Sequence, residues 1–162
     1  MRVRTHMLLL LGCVLCLLAV GTAGIVVPLH FEKRVADREA AVRTHLEEIV
    51  RAEERYQADK GRYTPHFGDL IGGGYLADSL CVIPYSHGEL FSLTVDVEKD
   101  AAGQPIQTVD CSALYRQYLE GLDSRSVEHL IGEAGDEGRF PGLSLSRTCL
   151  LTEEWNNLQY SE

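Results

Sequence analysis

The strongest constraint on this chain is one long run with no interior stop. An apolar span over residues 7–29 passes directly into a charged helical pattern that reaches Gly61. No Asp, Glu, Lys or Arg stands between His6 and His30, and as a helix the span would cover roughly 34 Å, enough for a hydrocarbon core of about 30 Å. Arg2 and Arg4 give it a basic start, as in a signal-anchor segment. The sequence therefore predicts a retained anchor over residues 1–30. The competing reading is a cleaved signal peptide with Gly21 and Ala23 before a cut at Gly24, but Ile25, Val26, Val27 and Leu29 prolong the apolar run past that point. A lipobox at Leu10, Leu11, Gly12 and Cys13 would leave too short an apolar stretch ahead of it. The expected location is the inner membrane, single-pass, with membrane lipid around the anchor and a periplasmic head. A short basic tail before an apolar run favours export, although Lys33, Arg34, Arg38 and Arg43 would by count alone hold that flank inside.

Beyond residue 30 lie all 24 acidic residues and all but Arg2 and Arg4 of the 15 basic ones. So acidic a surface repels phosphate backbones, and nucleic acid is excluded as a partner. A chain of 162 residues accommodates one folded head besides the anchor.

Over 31–61, the stalk, Val35, Val42, Ile49 and Tyr56 recur every seven residues, with Leu46, Val50 and Ala52 beside them. On a helix these form one narrow apolar stripe. Val35, Val42, Leu46, Ile49 and Tyr56 are the residues expected to carry packing or interaction. Arg38 and His45 spoil the second apolar column of a coiled coil, so the stripe is expected to pack on a sheet of the same chain.

The head, 62–151, reads as α+β. Thr64 and Pro65 look like the start of a short helix through Ile71, and Gly72, Gly73 and Gly74 end it. Residues 80–85 and the alternating Phe91, Leu93, Val95 and Val97 read as strands joined through Ser86, His87 and Gly88, with a third strand over 106–109. Helical faces follow at Leu114, Tyr115, Tyr118 and Leu119, and again after Asp123 at Val127, Leu130, Ile131 and Ala134. Phe140, Pro141, Gly142 and Leu143 start a last extended segment through Leu151, which would add a strand, and a polar tail follows, 152–162. The expected fold is a long N-terminal helix, membrane span plus stalk, packed on a small antiparallel sheet with additional short helices.

Signals for chemistry are sparse. None of the six histidines forms a metalloprotease motif, and no nucleophile elbow, dinucleotide fingerprint or calcium loop occurs. Cys81, Cys111 and Cys149 permit one disulfide in three possible pairings. His87 is the best single candidate for a catalytic or ligand histidine, and it has no partner at a readable spacing. The expectation is no enzyme and no cofactor or metal.

The stretch Ile49-Val50-Arg51-Ala52-Glu53-Glu54-Arg55-Tyr56-Gln57-Ala58-Asp59-Lys60-Gly61-Arg62-Tyr63-Thr64 resembles the spine end of type IV pilins and type II secretion pseudopilins, which closes with an aromatic residue, a glycine and a tyrosine-threonine pair. The whole chain also resembles membrane-anchored proteins of unknown activity with such a spine, including Tyr118-Leu119-Glu120-Gly121-Leu122-Asp123 and Gly138-Arg139-Phe140-Pro141-Gly142-Leu143. The chain departs from pilins in having no acidic residue before Glu32. What the resemblance implies is a non-enzymatic envelope protein acting by protein contacts in a secretion or surface-assembly system. The alternative is an exported ligand-binding module, released by signal cleavage, using its sheet face or the Gly72, Gly73 and Gly74 turn.

Overall fold

The computed structural model describes residues 2–150, with side chains described at Leu11, Gly12 and Val14 and from His30 onward. The protein is α+β, in the order α1 (Arg2–Lys60), α2 (Phe67–Gly72), a 3-10 turn (Asp78–Cys81), β1 (Ser92–Lys99), β2 (Pro105–Leu114), α3 (Tyr115–Tyr118), α4 (Ser124–Asp136) and β3 (Gly142–Leu150). Two compact units divide it at Asp37 and Arg38, inside α1. Val35 falls in the first and is half-buried.

The structure overturns the expected single-pass span, together with the inner-membrane location and periplasmic head that depend on it. Among the described residues no helix is long and apolar enough to cross a membrane. Where α1 has described side chains, Glu32, Lys33, Arg34, Asp37 and Arg38 crowd its turns, and a span tolerates few or no charges over some 18–20 residues. Residues 7–29, to which the sequence assigns the span, have side chains outside the described set except at Leu11, Gly12 and Val14.

The second unit is built around three antiparallel strands in the order β1-β2-β3. β2 is central, pairing from Ser112 opposite Ser92 to Pro105 opposite Lys99 on one side, and from Ile106 opposite Leu150 to Leu114 opposite Gly142 on the other. Side chains alternate across a strand, so Gln107, Val109, Cys111 and Ala113 share the face that is buried. The opposite face is polar: the Thr108 and Thr148 hydroxyls lie 3.1 Å apart, and Ser146 donates to Asp110 at 2.7 Å.

Val42, Leu46, Ile49, Val50, Ala52 and Tyr56 of α1 are all buried. Contacts from this helix reach the sheet's inner face, where Arg147 meets Glu54 at 3.1 Å. Gly61 ends the helix with φ 77°, its N–H donating to the Gln57 carbonyl at 2.7 Å; a left-handed residue there suits glycine. Tyr63 then donates its amide to the buried Gln107 side chain at 2.7 Å, which ties the exit of α1 to β2.

Three local expectations differ from the structure. Residues 80–85 are not a strand; the 3-10 turn takes their start and a single bridge, Val82 to Leu90, is all the pairing there. Pro84 lacks an amide hydrogen and Tyr85 takes a positive φ, so the ladder cannot continue. Thr64 does not cap α2, which begins at Phe67; its hydroxyl donates to Asp69 at 2.7 Å and accepts from the His66 amide. β2 runs on through Leu114 rather than stopping at Val109, because Asp110 and Ser112 lie on its polar face.

Asp123 caps α4 as the sequence predicts, accepting from the amide and hydroxyl of Ser126 at 3.0 and 2.8 Å. These bonds hold its carboxyl below the usual range. Asp123→Ala is expected to lower the thermal midpoint by about 4 °C. The cap's contribution is present above about pH 3.8 and lost as pH falls through the depressed value, so thermal melts of the two proteins should converge in acid.

Candidate functional site

A tight turn closes on itself between Ile83 and Glu89. The Ile83 amide donates to the Glu89 carbonyl at 2.8 Å, and Ser86 bridges the turn, its hydroxyl donating to Ile83 O at 2.7 Å and accepting from the Glu89 amide at 3.0 Å. At its tip, Tyr85 is the one non-glycine residue with positive φ among the described residues, at 65°. Such a conformation costs on the order of 1–2 kcal/mol for a residue with a side chain.

Arg38 of α1 holds this tyrosine. Its guanidinium lies 4.8 Å from the centre of the Tyr85 ring, close enough for a cation–π contact. The same guanidinium donates to the Tyr118 and Glu120 carbonyls at 2.8 and 2.7 Å, satisfying carbonyls that the end of α3 leaves open. His87 completes the fixture, with Nε2 3.0 Å from Glu120 Oε1. The turn, α1 and the end of α3 are thus joined through one arginine, yet Tyr85 remains 55% exposed, as does Leu90, just past the turn, at 56%.

Next to this fixture, α3 and α4 enclose an open groove of ≈ 270 Å³ with Leu119, Leu122, Val127 and Ile131 in its wall and Arg116 on its edge. It continues past Arg116 toward Leu114 and Pro141.

Apart from Val35, which lies in the first unit, the residues predicted from sequence are spread through the second unit rather than gathered. Val42 and Ile49 have no exposed surface, while Leu46 and Tyr56 retain little; their side chains are inside the fold. His87 meets Glu120 on the surface. Gly72, Gly73 and Gly74 form the exposed end of α2, and a side chain on Gly73 would collide with the Tyr75 ring. Among the described residues no group of three or more His, Cys, Asp or Glu is placed to hold a metal, and Cys81, Cys111 and Cys149 are free thiols. Burial pushes all three thiols upward, away from the thiolate needed for nucleophilic chemistry. Cys13 and Cys16 lie outside the described side chains.

Two residues escaped the sequence reading. Arg38 reads there only as a flaw in a coiled-coil column, and nothing local announces its partners, which lie 80 and 82 residues away. Glu53 was readable: it stands four residues from Ile49 and three from Tyr56, on the apolar stripe itself, and it is fully buried.

No protein-family model, curated protein or solved structure matches this chain.

Proposed function

We propose that the protein acts by protein contacts and is not an enzyme, through a pilin-like head in which the C-terminal half of α1 is the spine beneath the sheet. The supporting observation is the strained, exposed Tyr85, held over Arg38. A binding surface gains affinity when its anchors are fixed before the partner arrives. Tyrosine and arginine are the side chains that most often dominate such surfaces. A self-bonded turn displaying an aromatic ring in a costly conformation fits that role, and His87 and Glu120 beside it lie open to water. The likeness of the α1 exit to pilin and pseudopilin spines suggests a secretion or surface-assembly system as the setting.

A photo-reactive residue introduced at position 85, irradiated in the cells that make the protein, should yield a discrete covalent adduct with another protein chain. Once that partner is purified, Tyr85→Ala should weaken binding about 30-fold, the loss of one central anchor of about 2 kcal/mol. Adducts with small molecules alone, or an unchanged affinity in Tyr85→Ala, would overturn the assignment.

A further inference from the structure

Removing a carboxylate from water is tolerated when donors or a cation replace the lost solvation. Glu53 has little such replacement. Its Oε2 accepts the Thr64 amide at 3.0 Å, whereas the buried Oε1 has no hydrogen-bond partner. The charged neighbour acting on it is Asp69 of α2, tied through Oδ2 to the Thr64 hydroxyl at 2.7 Å. From β2 comes the Cys111 thiol, pushed up by burial and then by Asp110 and Glu53. From the connecting segment comes the Tyr63 hydroxyl, pushed up to about 12 by burial and by Cys149 and Glu54 ahead of Glu53.

We propose that Glu53 is a proton-operated latch at the corner where α1 turns into the head: neutral, it stays inside and holds the Thr64 amide; ionised, with its proton given to solvent, it leaves and the corner at residues 61–64 opens. Asp69 sharpens the response, because its charge sits beside the same threonine and opposes a second negative charge. Desolvation raises the Glu53 carboxyl from 4.5 to about 7, with Thr64 opposing and Asp69 adding to the shift. The closed corner therefore keeps a proton that the open corner releases. Its advantage is full below about pH 4.5 and is lost as pH rises to about 7, where the loss levels off. The latch operates within the chain and needs no partner.

Hydrogen exchange on the full chain, corrected for the intrinsic pH dependence of exchange, tests this. The Tyr63 and Thr64 amides should open about 40-fold more often at pH 7 than at pH 5, while the Val109 and Cys111 amides of β2 keep their protection. In Glu53→Gln the rise should vanish. In Asp69→Asn it should level off at lower pH, which retains a readout should the glutamine variant fold poorly. A flat response in the natural protein, a rise retained in Glu53→Gln, an unmoved levelling point in Asp69→Asn, or equal loss of protection in β2 would each overturn the latch.

Discussion

Ile49→Asp is expected to abolish the cooperative unfolding transition of the second unit, leaving a chain without fixed tertiary structure at 25 °C. Ile49 has no exposed surface and sits between Leu46, Ala52 and Glu53 on the buried stripe of α1. The substitution removes a full aliphatic side chain, which costs about 3 kcal/mol or more by itself. It also places a carboxylate beside buried Glu53, where a charge without a partner costs several kcal/mol further. Domains of this size hold only about 5–15 kcal/mol in total. Ile49→Val, which trims one methyl group, should lower stability by about 1 kcal/mol and preserve the transition. Urea titration followed by near-ultraviolet circular dichroism distinguishes the two. A cooperative Ile49→Asp transition within about 1 kcal/mol of the natural protein would mean that this stripe does not carry the core.

The second large effect is expected at Gly142, the first residue of β3, paired with Leu114. A Cβ there would lie 2.1 Å from the Ala113 carbonyl oxygen and 2.8 Å from the Leu114 Cα. Both obstacles are backbone, so no side chain can turn aside. The clash also falls where β2 gives way to α3 and the Tyr115 amide donates to the Pro141 carbonyl at 3.0 Å. Gly142→Ala is therefore expected to cost about 3 kcal/mol, at the upper end of overpacking effects. Exchange should accelerate first at Leu114 and Tyr115. By contrast, a Cβ on Gly132 in α4 would meet nothing within 4 Å, so Gly132→Ala is the matched control, neutral or slightly stabilising. Equal midpoints for the two variants in urea would show that the β2–β3 junction yields without strain.

Periodicity made the helical half of this architecture legible. The seven-residue recurrence of Val42, Ile49 and Tyr56 identifies residues that are buried, Gly61 marks where α1 stops, and Asp123 marks where α4 starts, each through local chemistry. The sheet was readable in part. Leu93, Val95 and Val97 alternate cleanly with polar neighbours, but β2 places Gln107 on the buried face and Ser112 under cover on the other, and that mixture conceals a ten-residue strand. At residues 80–85 apolar composition suggested pairing that Pro84 and the backbone of Tyr85 prevent. The candidate site was the least legible. Arg38, Tyr85 and Glu120 come from three distant segments, and what joins them is a guanidinium reaching carbonyl groups, which any residue type supplies. Glu53 was overlooked for a different reason: its charge argues for the surface, while its spacing from Ile49 and Tyr56 places it on the buried stripe.

The pairing of Glu54 with Arg147 spans 93 residues of chain, and that separation becomes an interval of time during synthesis. At about 5–20 residues per second, the second half of α1 leaves the ribosome roughly 5–20 seconds before the strand that completes the sheet. Throughout that interval Val42, Leu46 and Ile49 lack the completed sheet, and any holdase that binds the nascent protein should be fully displaced only when β3 emerges.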